Sequence, residues 1–310
     1  MYEQISKNRI KTYFIMAGFL AFIAAIGYFI GIYLDYRYGV SGNYSILLLV
    51  FALIIAILAS FASYYNSDKI VLKLTRAKPL SREENPRVYY MVEGLSIAAG
   101  IPMPKIYVIE DGGMNAFATG RNPSKGVIVF TRGLIENLND QELKGVAAHE
   151  LSHIKNYDIL LGTVIVVLVG MVTIASNLML RSFIFGGRRR SSRNSGGPLA
   201  IILLVVGIIL ILLSPLIAAV IRFAVSRKRE FLADSNGALI TRYPAGLASA
   251  LRKINKNSAV KTANNATAHL FISNPIGKKA KSLFNNLFNT HPPAEERIKR
   301  LEEMSLGVGV

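Results

Sequence analysis

Four stretches of the chain are apolar without interruption: Tyr13 to Leu34, Ile46 to Tyr65, Ile159 to Leu180 and Leu199 to Ile221. Each has at least 20 residues, and at 1.5 Å per helical residue that matches a hydrocarbon core about 30 Å thick. The third and fourth carry no charged residue. The pattern predicts four transmembrane helices. The first is too long for a cleaved signal and lacks a small-residue cleavage site before the next apolar run.

Elsewhere the periodicity is that of a soluble domain. Asn85 before Pro86 opens a helix that Gly100 closes. Lys105 to Glu110 and Gly126 to Thr131 are β-branched and aromatic runs, with Asn115 to Thr119 as a third short strand between them. Asn139, with Glu142 three positions on, opens a helix expected to run on into the third apolar stretch. From Arg222 to Val310 the pattern is mostly helical, broken at Tyr243-Pro244 and Asn274-Pro275. The expected organisation is two membrane helices in residues 1–65, a first soluble part in 66–158, a membrane hairpin in 159–221 and a second soluble part in 222–310. The fold class is α+β: a mainly helical membrane protein carrying a soluble domain with a small β-sheet.

Composition agrees. Charged residues make up 18% of the 310, against about 25% in soluble domains, and the mean hydropathy is +0.37. The absence of cysteine excludes disulfides, Cys-based metal sites and thiol nucleophiles. The net charge of +17 gathers beside the apolar stretches. Lys7, Arg9 and Lys11 precede the first, Lys69, Lys73, Arg76 and Lys78 follow the second, and Arg37 alone lies between. That bias predicts a multi-pass protein of the cell membrane with its N-terminus and residues 66–158 in the cytoplasm. It suits anionic lipid headgroups, whereas no nucleic-acid-binding motif is present. Arg181, Arg188, Arg189, Arg190 and Arg193, between the third and fourth stretches, oppose the same rule.

The candidate chemistry is His149-Glu150-Leu151-Ser152-His153. Residues four apart share a helix face, so both imidazoles can hold one zinc ion while Glu150 flanks the water. A catalytic zinc needs one more protein ligand. The extended histidine motif of metzincins fails, because position 159 is Ile; His269 and His291 remain, but Glu230 and Asp234 fit better. These also stand four apart, so one carboxylate can bind metal while the other accepts the free N–H of a ligand histidine. If both motifs meet at one ion, the intervening chain leaves and returns on one side of the membrane. That requires two crossings, or a hairpin that enters without crossing.

In combination these motifs resemble the HtpX family of membrane-bound zinc metalloproteases, related to the CAAX prenyl proteases. The resemblance extends to Asn115-Ala116-Phe117-Ala118, Leu270-Phe271-Ile272-Ser273-Asn274-Pro275 and Thr290-His291-Pro292-Pro293 with Arg297. It implies a gluzincin-like endopeptidase with one zinc per chain on His149, His153 and Glu230, Asp234 behind a ligand, and Glu150 as general base. It further implies a cytoplasmic active site and C-terminus, membrane-protein or peptide substrates, and a part in membrane-protein quality control. By the same resemblance Asn115 contacts substrate, His291 stabilises the oxyanion and Arg297 supports that region. The residues alone read His291 as a loop histidine and Arg297 as a basic residue on an exposed helix face. Oligomeric state has no signal. A CAAX-type processing protease is the nearest enzyme alternative, although the chain has too few apolar segments for one. A four-span zinc transporter would place ionisable residues inside its spans, and these are essentially uncharged.

Overall fold

The computed structural model describes residues 2–170, 227–264, 266–276 and 292–307. Its first two helices, α1 (Tyr2–Tyr38) and α2 (Asn43–Thr75), are the two described helices long and apolar enough to cross a membrane. They form an antiparallel hairpin whose contact stripe is small. A Cβ on Gly31 would fall 2.2 Å from Ser45 Cα, so only glycine admits that approach. Asp35 accepts the backbone N–H groups of Tyr44 and Ser45, satisfying orphan donors at the start of α2.

Past its apolar part α2 continues for another ten residues without a break, to Thr75. Val71 and Leu72 pack there on one face of the sheet, with Ile109, Phe117, Val127, Val129 and Phe271. The sheet has order β1-β2-β4-β3, with β1 (Lys78–Pro79), β2 (Lys105–Ile109), β3 (Ala116–Thr119) and β4 (Val127–Thr131). The pairs β1/β2 and β3/β4 are antiparallel, and β2/β4 is parallel with Ile106 opposite Ile128. The two-residue β1 is a strand that the sequence pattern does not predict. All five residues of β4 are buried, as expected for a strand covered on both faces.

The opposite face packs on α3 (Pro86–Ala99) and α5 (Asp140–Lys155) through Val88, Val92, Ile128, Phe130, Val146 and Leu151. Asn85 caps α3 by accepting from Val88 N, and Gly100 closes it in the left-handed region at φ 68°. The short α4 (Arg132–Asn137) leads into the Asn139–Glu142 capping box of α5.

The helix carrying the two histidines does not run on into the third apolar stretch. It stops at Lys155, Tyr157 takes φ 61°, and α6 (Asp158–Gly170) departs at 83°. Asn156 lends the break a carbonyl that Asn8 Nδ2 of α1 donates to at 3.1 Å. Helix α6 then packs on α1 and α2 through Leu160, Val164 and Leu168. The third stretch beyond Gly170, the fourth from Leu199 to Ile221, the five arginines between them and His291 lie outside the described residues. After these come α7 (Arg227–Thr241) and α8 (Pro244–Ile254), which pack on α5, and α9 (Ala294–Ser305), which packs on α8 and α7.

Candidate metal centre

Helix α5 presents His149 and His153 one turn apart, and α7 crosses it at that point. A Cβ on Gly237 would lie 3.1 Å from His149 N, so a glycine there lets α7 sit directly against the first histidine. The crossing brings Glu230 to the imidazoles. His149 Nε2 and His153 Nε2 are 3.2 Å apart, and the Glu230 carboxylate lies 3.6 Å from the latter and 3.9 Å from the former. Bonds of about 2.0–2.1 Å in a tetrahedron imply ligand–ligand edges of about 3.3 Å. The donor set therefore has the spacing and chemistry of a metal site, and among the described residues it is the one such group.

Each imidazole is oriented from behind by a carboxylate. Asp234 Oδ1 lies 2.9 Å from His149 Nδ1, and Asp158 Oδ2 lies 3.0 Å from His153 Nδ1. An ionised carboxylate only accepts, so both Nδ1 atoms donate and both Nε2 atoms face the common point. Asp234 is the acid that the Glu230/Asp234 spacing suggests. Asp158 was not singled out by the sequence; its signal is an acid at the edge of an uncharged apolar run, where a partner is required.

Arg297 is 2% exposed, not on an open helix face. Its Nε and Nη2 donate to the two Asp234 oxygens at 2.9 and 2.7 Å, and its Nη1 donates to the Ile272 carbonyl at 3.1 Å. The reason is legible afterwards: Arg297 stands four residues before the fully buried Leu301 and so shares its inward face. Burial works against this charge, but Asp234 outweighs it and raises the Arg297 pKa. Burial also pushes Asp234 up, yet Arg297 and His149 hold it down at about 2. Glu150, 2% exposed, is pushed up to about 7 by burial, with the Ala118 N–H of β3 donating to it.

Asn115 is tied into the fold by its own hydrogen bonds. Its Nδ2 donates to the Ser258 and Ser273 carbonyls at 2.8 and 2.9 Å, and its Oδ1 accepts from Ala116 N and Ser273 N. Every polar position of the side chain is used, and it ties the loops at Ser258 and Ser273 to β3. The β3 edge is closed beside it as well, because Ile272 N donates to the Ala116 carbonyl at 2.9 Å. His269 bonds to the Gly162 carbonyl of α6 at 3.2 Å.

Residues 82–305 match the model of Peptidase family M48. The chain belongs to peptidase family M48. It is similar to the protease HtpX homolog of Dictyoglomus thermophilum, 45% identical over 98% of this chain and 94% of that protein. The protease HtpX homolog of Tropheryma whipplei strain Twist is 41% identical over 98% of each chain. Among solved structures, S. mikatae Ste24p aligns with 97% of this chain and 67% of its own, at 19% identity and a TM-score of 0.48. An HtpX-type M48 peptidase is a membrane metalloprotease, which agrees with the two apolar helices and the His149, His153 and Glu230 group.

Proposed function

We propose that this M48 peptidase is a zinc endopeptidase that cuts cytoplasmic segments of membrane proteins close to the lipid surface, as part of membrane-protein quality control. In this reading His149, His153 and Glu230 hold one zinc, which when bound polarises the scissile carbonyl and activates water. Glu150 accepts a proton from the attacking water and passes it to the leaving amine. Strand β3 passes over Glu150, its Ala118 N–H on the carboxylate, so a substrate main chain laid beside that end of β3 would reach the base. His291 is assigned to the oxyanion by family resemblance alone. The N-terminus, the site and the C-terminus are assigned to the cytoplasm from the Lys and Arg bias, with Lys69, Lys73 and Arg76 meeting anionic headgroups.

The observation that carries the location is the position of His153, five residues before Asp158 opens the helix of the third apolar stretch. Asp158 Oδ2 lies 3.0 Å from His153 Nδ1, so the site sits beside the first turn of that helix. The test attaches one cleavable peptide to a transmembrane helix at increasing distances on the cytoplasmic side. Cleavage is expected to be fastest near the membrane and to fall with distance. Equal rates at every distance and on the free peptide would reduce the membrane segments to a plain anchor.

A further inference from the structure

Asp158 lies just past the left-handed Tyr157, at the mouth of the third apolar stretch. Three elements converge on it. Its Oδ2 faces His153 Nδ1 at 3.0 Å, while its Oδ1 accepts from Asn8 Nδ2 of α1 at 2.6 Å and from Arg229 Nη1 of α7 at 3.3 Å. Asn8 is itself buried, donates its second N–H to the Asn156 carbonyl, and accepts from Arg229 Nη1 at 3.3 Å. An amide is suited to this place because it both donates and accepts. A carboxylate at position 8 would face Asp158 at contact distance, and an apolar side chain would leave the Asn156 carbonyl without that donor.

We propose that Asn8 and Asp158 form a positioning pair for His153, so that the N-terminal membrane helix helps to build the metal centre as well as anchoring it. Asp158 fixes the ring so that Nε2 faces His149 and Glu230. Asn8 fixes the carboxylate, whose Oδ1 would otherwise be held by Arg229 alone. The pair is made from residues 150 positions apart, which ties the geometry of the site to the seating of α1 against the start of α6. The inference rests on His153 being a metal ligand.

The test uses full-length protein in detergent and measures zinc affinity by chelator competition, the visible spectrum of the cobalt-loaded protein, and thermal melting without metal. Asp158→Asn is expected to weaken zinc binding by roughly 10–100-fold and to change the cobalt spectrum, with Asp158→Glu recovering part of the loss. Asn8→Ala should weaken binding by about tenfold or less, and should add nothing further in the Asp158→Asn background, because it acts through that carboxylate. Arg9→Ala, at the exposed next position, should match the parent protein. If Asn8→Ala does not fold, Asn8→Ser, which keeps one donor, takes its place. Wild-type affinity in the Asn8 variant, full additivity with Asp158→Asn, or a changed melting temperature with unchanged affinity would each overturn the proposal. Undiminished zinc binding by His153→Ala would instead overturn the ligand assignment beneath it.

Discussion

At single residues, the site is held by charges that have been paired before any ligand arrives. Arg297 grips Asp234 with two parallel donors, and Asp234 in turn holds His149. Removing one member leaves the other charged and buried. Arg297→Met should therefore cost about 3–5 kcal/mol of stability, read as a lower melting temperature, whereas Arg297→Met with Asp234→Leu should recover much of it. Glu150→Gln is isosteric; it should keep the metal and the fold and lose roughly 10²–10⁴ in hydrolysis rate, measured on a peptide substrate. Metal binding itself should depend on pH. Burial lowers both imidazoles, but Asp158, Glu230 and Glu150 raise His153 to about 9, while burial and Arg297 leave His149 at about 4. In the metal-free protein His153 thus carries a proton below about pH 9 that an incoming metal must displace. Affinity should rise about tenfold per unit from pH 7 to 9 and level off above, checked by chelator competition across that range.

Among the elements, the break between α5 and α6 governs what the histidines can reach. Left-handed backbone at a non-glycine residue costs about 1–2 kcal/mol, and β-branched side chains tolerate it least. Tyr157→Val should destabilise by that order, while Tyr157→Asn, whose side chain suits the same region, should be milder; chemical denaturation of the pair decides. Nothing in the sequence marks this break, since neither glycine nor proline stands there. The caps at Asn85 and Asn139 were legible because a capping signal is local, and so were the histidine pair and the Glu230/Asp234 spacing. Arg297, Asp158 and the saturated Asn115 were not. Asp234 lies 63 positions from Arg297, Asn8 lies 150 from Asp158 and Ser273 lies 158 from Asn115, where no spacing rule reaches. The two-residue β1 escaped for a different reason, being too short to show a period.

For the whole molecule, α2 has a consequence that belongs to mechanics. It passes from its apolar part to the sheet as one rod with no hinge, and α1 and α6 grip the same domain through Asn8 and Asp158. A rod cannot absorb a mismatch between its apolar length and the lipid around it except by tilting, and here a tilt at one end is a displacement of the sheet at the other. The expected consequence is that bilayer thickness acts as a mechanical input to catalysis. Reconstituted into vesicles whose acyl chains lengthen in steps, the enzyme should work best at one thickness and lose rate on either side, even on a peptide supplied from solution. A flat profile would mean that the rod bends after all.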